Sequence, residues 1–92
     1  MSVQLSEKVE ITNRRGLHAR ASARFAKEAG AFSAQVEVCK GEVCVVGTSI
    51  MGLMMLGAAK GDTVVVSASG PDAEKAMSTL VGLIEDMFGE GE

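Results

Sequence analysis

The stretch Gly16-Leu17-His18-Ala19-Arg20 decides how this chain is interpreted, because a strand pattern ends before it and a helix pattern begins within it. Apolar and polar residues alternate over Lys8–Thr12, whereas apolar residues recur every four positions over Ala19–Ala29. His18 is the only histidine among 92 residues. Because the free backbone N–H groups at a helix start attract anions, a side chain at this position is well placed to hold negative charge.

Basic residues surround His18, although the chain as a whole is acidic, with a formal net charge of −3. No Asp or Glu occurs from Ile11 to Lys27, and this segment contains Arg14, Arg15, Arg20, Arg24 and Lys27. A local basic patch on an acidic protein indicates recognition of a specific anionic group rather than of nucleic acid. A neutral imidazole in such surroundings is suited to accepting a phosphoryl group.

Length and composition predict a single ordered domain over residues 1–92, with residues 89–92 as a frayed tail. Apolar residues make up 47% of the chain, Trp and Tyr are absent, and Phe occurs three times, so the core should be aliphatic and rich in Met. The sequence contains neither a secretory signal nor a membrane-spanning segment. We therefore expect a cytoplasmic protein that does not insert into membranes.

Hydrophobic periodicity predicts the element order β-α-β-β-α-β-α. The predicted strands cover residues 3–12, 34–39, 43–45 and 63–68, and the predicted helices cover 19–29, 49–56 and 73–88. In the last helix, a core stripe is expected at Ala73, Met77, Leu80, Ile84 and Phe88. Short alternating strands favour an α+β fold in which helices cover one face of a four-stranded antiparallel sheet.

The two cysteines flank a hairpin turn that is predicted at Lys40-Gly41. With that turn, Cys39 and Cys44 would be diagonal neighbours whose α-carbons lie about 7–8 Å apart. This separation is beyond comfortable disulfide reach. Two cysteines are also too few ligands for a metal site of their own. The sequence therefore predicts free thiols, no metal and no cofactor.

Three motifs resemble the histidine-containing phosphocarrier family (HPr) of the phosphoenolpyruvate-dependent phosphotransferase system. The first is Gly16-Leu17-His18-Ala19-Arg20, the second is Ser49-Ile50-Met51-Gly52-Leu53-Met54-Met55-Leu56, and the third is Ser67-Ala68-Ser69-Gly70. The resemblance extends over roughly the whole chain and includes the order of the elements. It implies the family's open-faced β-sandwich, with three helices on one face of the sheet.

The resemblance implies that His18 accepts a phosphoryl group from phospho-enzyme I, on the ring nitrogen nearer the backbone. His18 would then pass that group to a histidine of an enzyme IIA-type domain. Arg20 matches the family's active-site arginine and would stabilise the phosphoryl group together with backbone N–H groups. Ala21 departs from the family pattern, which usually has a Pro that stiffens the first helical turn. The family expectation is a monomer.

The second motif implies regulation and partner docking. Ser49 matches the serine that an HPr kinase/phosphorylase phosphorylates in many bacteria, and added charge there would repel acidic partners. The resemblance also implies a docking surface for partner proteins. Its members would be Ile50, Met51, Leu53 and Met54, with Arg24 and Lys27 adding basic contacts.

Three functions stay open on the sequence alone. The chain is a phosphocarrier, or a regulatory binding module controlled at Ser49 with little transfer through His18, or an unrelated nucleic-acid-binding domain. The absence of Tyr and Trp disfavours the last, because such sheets stack bases on aromatic side chains. An independent enzyme is not supported, since no second acid or base is evident near His18. The sequence does not distinguish the sugar-transport branch from the nitrogen-related branch.

Overall fold

The fold consists of one antiparallel sheet with helices packed on one face, as the computed structural model describes it for residues 4–90. The strands are β1 (Gln4–Glu10), β2 (Gln35–Lys40), β3 (Val43–Val46) and β4 (Thr63–Ser69). The helices are α1 (Ala19–Gly30), α2 (Ile50–Met55) and α3 (Ala73–Glu85), followed by a short 3₁₀ helix at Met87–Gly89. The predicted α+β class and the order β-α-β-β-α-β-α are confirmed.

The strands lie side by side in the order β1-β4-β2-β3, and every neighbouring pair is antiparallel. Side chains alternate between the two faces along each strand. In β2, for example, Val36 and Val38 are buried, whereas Gln35 and Glu37 are exposed. One face of the sheet therefore packs on the helices and the other remains open to water.

The core lies between the sheet and the helices and is mainly aliphatic. Its fully buried large side chains include Phe25 from α1, Leu53 from α2, and Leu80 and Ile84 from α3. Burying one such side chain contributes about 1.5–3 kcal/mol. Contacts of α1 with both α2 and α3 join the three helices into one layer. Among residues 4–90, none of the helices has the length and apolar character needed to cross a membrane.

The β2–β3 hairpin turns one residue later than predicted. The turn residues are Gly41 and Glu42, and Gly41 has a φ of +60°, which glycine adopts without steric penalty. Cys39 therefore lies directly opposite Cys44, with their α-carbons 4.0 Å apart, and the two form a disulfide. The prediction of free thiols is wrong, because a one-residue shift of the turn converts diagonal neighbours into a direct pair.

The last helix ends at Glu85, three residues before the predicted end, and the chain then reverses. Met87 and Phe88 both have a φ of 54°, in the left-handed region, yet Phe88 is buried. Gly89 and Glu90 lie in the predicted frayed tail, and in this structure their N–H groups donate to the carbonyls of Asp86 and Met87. The buried ring of Phe88 anchors this segment to the core. Residues 91 and 92 lie outside the described residues.

Candidate functional site

His18 is the N-cap residue of α1. Its backbone is extended, with φ −76° and ψ −178°, and its carbonyl accepts the N–H of Ser22 at 2.8 Å. Over the described range 4–90, the imidazole makes no hydrogen bond that caps the helix. The side chain is 14% exposed, so part of it remains accessible to solvent. An imidazole that does not cap its own helix is free for chemistry at the positive end of the helix dipole.

The turn before His18 is held rigidly. Asn13 is fully buried, and its Nδ2 donates to the carbonyl of Gly16 at 2.9 Å. Gly16 has a φ of +62°, and a Cβ added there would lie 2.3 Å from the carbonyl oxygen of Ala58. The N–H of Leu17 donates to that same oxygen at 2.9 Å. Only glycine combines a positive φ with the absence of a Cβ, and both are required at position 16. These contacts fix the backbone that leads into His18.

Glu90 contacts His18, which the sequence interpretation missed. Its Oε2 lies 2.5 Å from Nε2 of His18, and its Oε1 accepts from Nδ2 of Asn13 at 3.0 Å. Burial raises the pKa of Glu90, but the hydrogen bonds from Asn13 and His18 outweigh it, together with the charge of Arg20 and, when its ring is protonated, that of His18. The net pKa lies below the ordinary glutamate value, so the carboxylate is charged at neutral pH. The prediction of no second acid or base near His18 is wrong.

Residues Met87–Glu90 form the segment that brings this carboxylate to the ring, and we call it the C-terminal strap. Its residues Met87, Phe88 and Gly89 have φ values of 54°, 54° and 75°. For L-residues, the left-handed region costs about 1–2 kcal/mol each. The strap is held by the ring of Phe88, which is 3% exposed, and by Nη1 of Arg24, which donates to the carbonyl of Phe88 at 3.3 Å.

Of the three basic residues predicted on α1, two lie next to the C-terminal strap and one lies at the other end of the helix. Arg20 and Arg24 line a shallow depression together with Gly89 and Glu90 of the strap. Arg20 is exposed, and its charge contributes to the lowered pKa of Glu90. The structure therefore brings Arg20 and Arg24 close to the His18–Glu90 pair. Lys27 is exposed in the last turn of α1, at the far end of the helix.

Ser49 is the N-cap residue of α2 and lies at the helix start that the sequence predicts. Its Oγ accepts the N–H of Gly52 at 3.0 Å, which caps the helix start. The hydroxyl is partly buried, and an added Cβ at Gly52 would lie 3.1 Å from it. The oxygen that would carry a regulatory phosphate is thus engaged in a local hydrogen bond.

The α2 helix divides into a buried and an exposed side. Leu53 is fully buried, so its prediction as a docking residue is wrong, because it points into the core between the sheet and α1. The exposed side, which we call the α2 apolar face, consists of Ile50, Met51, Met54 and Met55. Met51 is 71% exposed and Met55 is 79% exposed, and Met55 was not among the predicted docking residues.

One cluster of possible metal ligands occurs within residues 4–90. The ligand atoms of Glu37, Cys39 and Cys44 lie within 4.8 Å of one another on the open face of the sheet. Both sulfur atoms belong to the disulfide, so neither is available as a thiolate. The cluster is therefore a disulfide cross-link between β2 and β3 with a glutamate beside it, not a metal centre.

Comparison with known proteins places this arrangement in context. Residues 5–86 match the family model described as the PTS HPr component phosphorylation site. The chain is 49% identical over 88 residues to the phosphocarrier protein HPr of Neisseria meningitidis serogroup A, which covers 96% of this chain and 99% of that protein. Two crystal structures from Thermoanaerobacter tengcongensis are also similar. HPr-C-His matches with a TM-score of 0.90 and 46% identity over 94% of this chain and 97% of that one. The structure of an HPr dimer matches with a TM-score of 0.75 and 49% identity, and the match covers 89% of this chain and 94% of that one.

Proposed function

The chain belongs to the HPr family of phosphocarriers, and from that premise we propose that His18 accepts a phosphoryl group from phospho-enzyme I and passes it to an enzyme IIA-type acceptor. The observation that carries this proposal is the position of His18. Its imidazole lies at the N-terminus of α1 without capping it, the side chain is partly exposed, and Arg20 follows within the first turn. The protein is a carrier rather than a catalyst.

The chemistry requires a neutral ring nitrogen with a free electron pair. As that pair forms the new N–P bond, the bond between phosphorus and the donor's histidine nitrogen breaks, and the donor ring recovers its electron pair. The phosphoryl group brings negative charge to the start of α1. The guanidinium of Arg20 and the first backbone N–H groups of the helix are the groups proposed to stabilise it.

A carrier must also release the group it accepts. A helix N-terminus stabilises an anion by about 0.3–1 kcal/mol at an exposed position, which is a modest amount. Arg20 is itself exposed, so water competes for its hydrogen bonds. We propose that this weak stabilisation of the phosphoryl group keeps transfer reversible. Groups of the partner protein would supply the additional stabilisation that transfer requires.

Partner binding is proposed to use the α2 apolar face together with Arg20, Arg24 and Lys27. The α1 and α2 helices pack against each other, so basic and apolar side chains share the helical side of the molecule. Flexible Met side chains suit a surface that binds several partners in turn. A carrier that uses one surface for every partner is best served by a monomer, which is the state we propose.

Intact-mass spectrometry after incubation with enzyme I and phosphoenolpyruvate tests the carrier function. The expected product carries one phosphoryl group that mild acid removes, because phosphohistidine is acid-labile. His18→Ala should take up none, whereas the control Ser49→Ala should take up the full amount. Uptake by His18→Ala, or an acid-stable product, would contradict the proposal.

A second candidate function is regulation at Ser49. Its support is the position of the Oγ at the N-cap of α2, directly before Ile50 and Met51 of the α2 apolar face. We propose that an HPr kinase/phosphorylase modifies this hydroxyl, and that the added charge weakens partner docking. Ser49→Asp should slow phosphorylation of His18 by enzyme I, while Ser49→Ala should not. Equal rates for the two variants would remove the regulatory role.

A further inference from the structure

We propose that Glu90 is a positioning residue for His18, which holds the imidazole in the form that carries its proton on Nε2 and presents the electron pair of Nδ1. The inference rests on the proposed carrier function and adds a residue to that site. Glu90 lies beyond residues 5–86, the part of the chain that matches the family model.

The contact decides which ring nitrogen carries the proton. A charged carboxylate can only accept hydrogen bonds, so the 2.5 Å contact between Oε2 and Nε2 requires Nε2 to donate. A neutral imidazole has one N–H, and its other nitrogen then has a free electron pair. With Nε2 protonated, Nδ1 is the nitrogen able to attack phosphorus.

A second hydrogen bond fixes the orientation of the carboxylate. Oε1 of Glu90 accepts from Nδ2 of Asn13 at 3.0 Å, and the same Nδ2 donates to the carbonyl of Gly16 at 2.9 Å. Asn13 is fully buried, so its position varies little. Both carboxylate oxygens are thus engaged, Oε1 by Asn13 of the turn and Oε2 by the ring of His18. The ring cannot rotate about its bonds without losing the Glu90 contact.

The C-terminal strap delivers Glu90 in a conformation that the surrounding packing enforces. Met87 and Phe88 occupy the left-handed region, which L-residues rarely adopt. Burial of the Phe88 ring and the hydrogen bond from Arg24 to its carbonyl hold that conformation. Unfavourable backbone geometry that packing enforces is commonly found at functional sites. Here it directs a carboxylate to the proposed nucleophile.

The same contact serves the transfer step. When Nδ1 forms its bond to phosphorus and the donor N–P bond breaks, the ring of His18 acquires positive charge while Nε2 keeps its proton. The carboxylate of Glu90 lies against that N–H and stabilises the charge. When the phosphoryl group leaves, the charge disappears and the hydrogen bond remains. No proton has to move in either direction.

Nitrogen NMR of the imidazole ring tests the positioning role on the unphosphorylated protein. In the wild-type chain, we expect the form protonated at Nε2 and an Nε2–H signal that exchanges slowly with water. Glu90→Ala should lose the slow exchange. Glu90→Gln should increase the form protonated at Nδ1, because its amide NH₂ can donate to Nε2. Glu85→Ala removes an exposed carboxylate near the end of α3 and should leave the ring unchanged. Identical spectra for all four proteins would overturn the inference.

The rate of phosphorylation by enzyme I provides the second readout. We expect Glu90→Ala and Glu90→Gln to accept the phosphoryl group about tenfold more slowly than the wild type, since loss of an orienting partner commonly costs that much. Glu85→Ala should retain the full rate. Wild-type rates for both Glu90 variants would overturn the inference. Failure of the wild-type chain to be phosphorylated at His18 would instead overturn the proposed function, and the ring spectra would still decide the positioning role.

Discussion

The starts of α1 and α2 differ in what their N-cap side chains do. At the start of α2, Ser49 Oγ accepts the N–H of Gly52 and is committed to the helix. At the start of α1, the imidazole of His18 makes no capping bond within residues 4–90 and instead contacts Glu90. A capping side chain stabilises its helix, whereas an uncapped start leaves both the side chain and the helix N–H groups available to a phosphoryl group.

Helix length explains why the two starts can differ. The α1 helix has 12 residues and buries an apolar stripe that includes Phe25, so packing stabilises it without a cap. The α2 helix has 6 residues and buries only Leu53 within its own span. Short helices are marginal in water, which makes a cap more important for α2. Substitution of His18 and acid affect the start of α1, whereas disulfide reduction and substitution of Ser49 affect the start of α2.

Substitution of His18 should separate function from stability. We expect His18→Ala to abolish phosphorylation by enzyme I but to change the free energy of unfolding by only about 0.5 kcal/mol, since the imidazole does not cap α1. Urea unfolding followed by circular dichroism gives the second quantity. A loss of several kcal/mol would mean that His18 is a structural residue, and the contrast with Ser49 would fail.

Reduction of the Cys39–Cys44 disulfide should affect stability near α2 more than chemistry at His18. The disulfide closes a loop of six residues, for which loop entropy predicts about 2 kcal/mol. The β3 strand leads directly to the α2 start, where the N–H of Ser49 donates to the carbonyl of Val46. Urea unfolding with and without a reducing agent measures the change, and Cys39→Ser with Cys44→Ser is the control. An unchanged midpoint would contradict the prediction.

Removal of the Ser49 cap should cost about 1 kcal/mol in the free energy of unfolding, the usual contribution of an N-cap side chain. Ser49→Ala tests this, and Ser49→Asp is the control because an Asp side chain can also cap a helix. Equal stability of Ser49→Ala and the wild type would show that α2 does not depend on its cap. The two helix starts would then be energetically equivalent.

Acid should weaken the Glu90 contact and produce the smallest effect. The pKa of Glu90 is lower in the folded chain than the ordinary glutamate value, so the unfolded chain binds the proton more readily. The stabilisation is therefore present above the ordinary value and is lost as the pH falls through the folded pKa. Asp62 also has a lowered pKa, through hydrogen bonds from Ala59 and Lys40, and it contributes in the same direction.

The contribution of Glu90 to the pH dependence of stability is obtained by comparing the wild type with Glu90→Ala. Unfolding free energies of the wild type and of Glu90→Ala should converge as the pH is lowered through the acidic range, with Glu85→Ala as the matched control. If the difference between the wild type and Glu90→Ala stays constant with pH, the carboxylate of Glu90 is not in the charged contact described above.

The start of α1 was predictable from sequence because its signals are local. The change of period around Gly16 places His18 at a helix start, and the apolar run after Ser49 places the start of the next helix at Thr48 or Ser49. Two outcomes depended on single residues that periodicity does not specify. The shift of the hairpin turn to Gly41-Glu42 created the disulfide, and the helical phase that buries Leu53 removed it from the docking surface.

Glu90 could not be predicted from sequence, because its position depends on a backbone reversal. The predicted core stripe of the last helix includes Phe88, and its burial is confirmed although Phe88 lies in the strap beyond the end of α3. However, nothing in the sequence of Met87 and Phe88 indicates left-handed backbone, which is typical of Gly and Asn. The reversal turns a segment expected to fray into the strap that reaches His18.

The most direct test of this account is phosphorus and nitrogen NMR of the chain after phosphorylation by enzyme I, with the histidine ring nitrogens isotopically labelled. We expect the phosphorus signal to couple to Nδ1 of His18 while Nε2 keeps its proton next to Glu90. Phosphorus bonded to Nε2 would require Glu90 to leave its contact and would contradict the positioning role. Phosphorus on Ser49 with His18 unmodified would contradict the proposed carrier function itself.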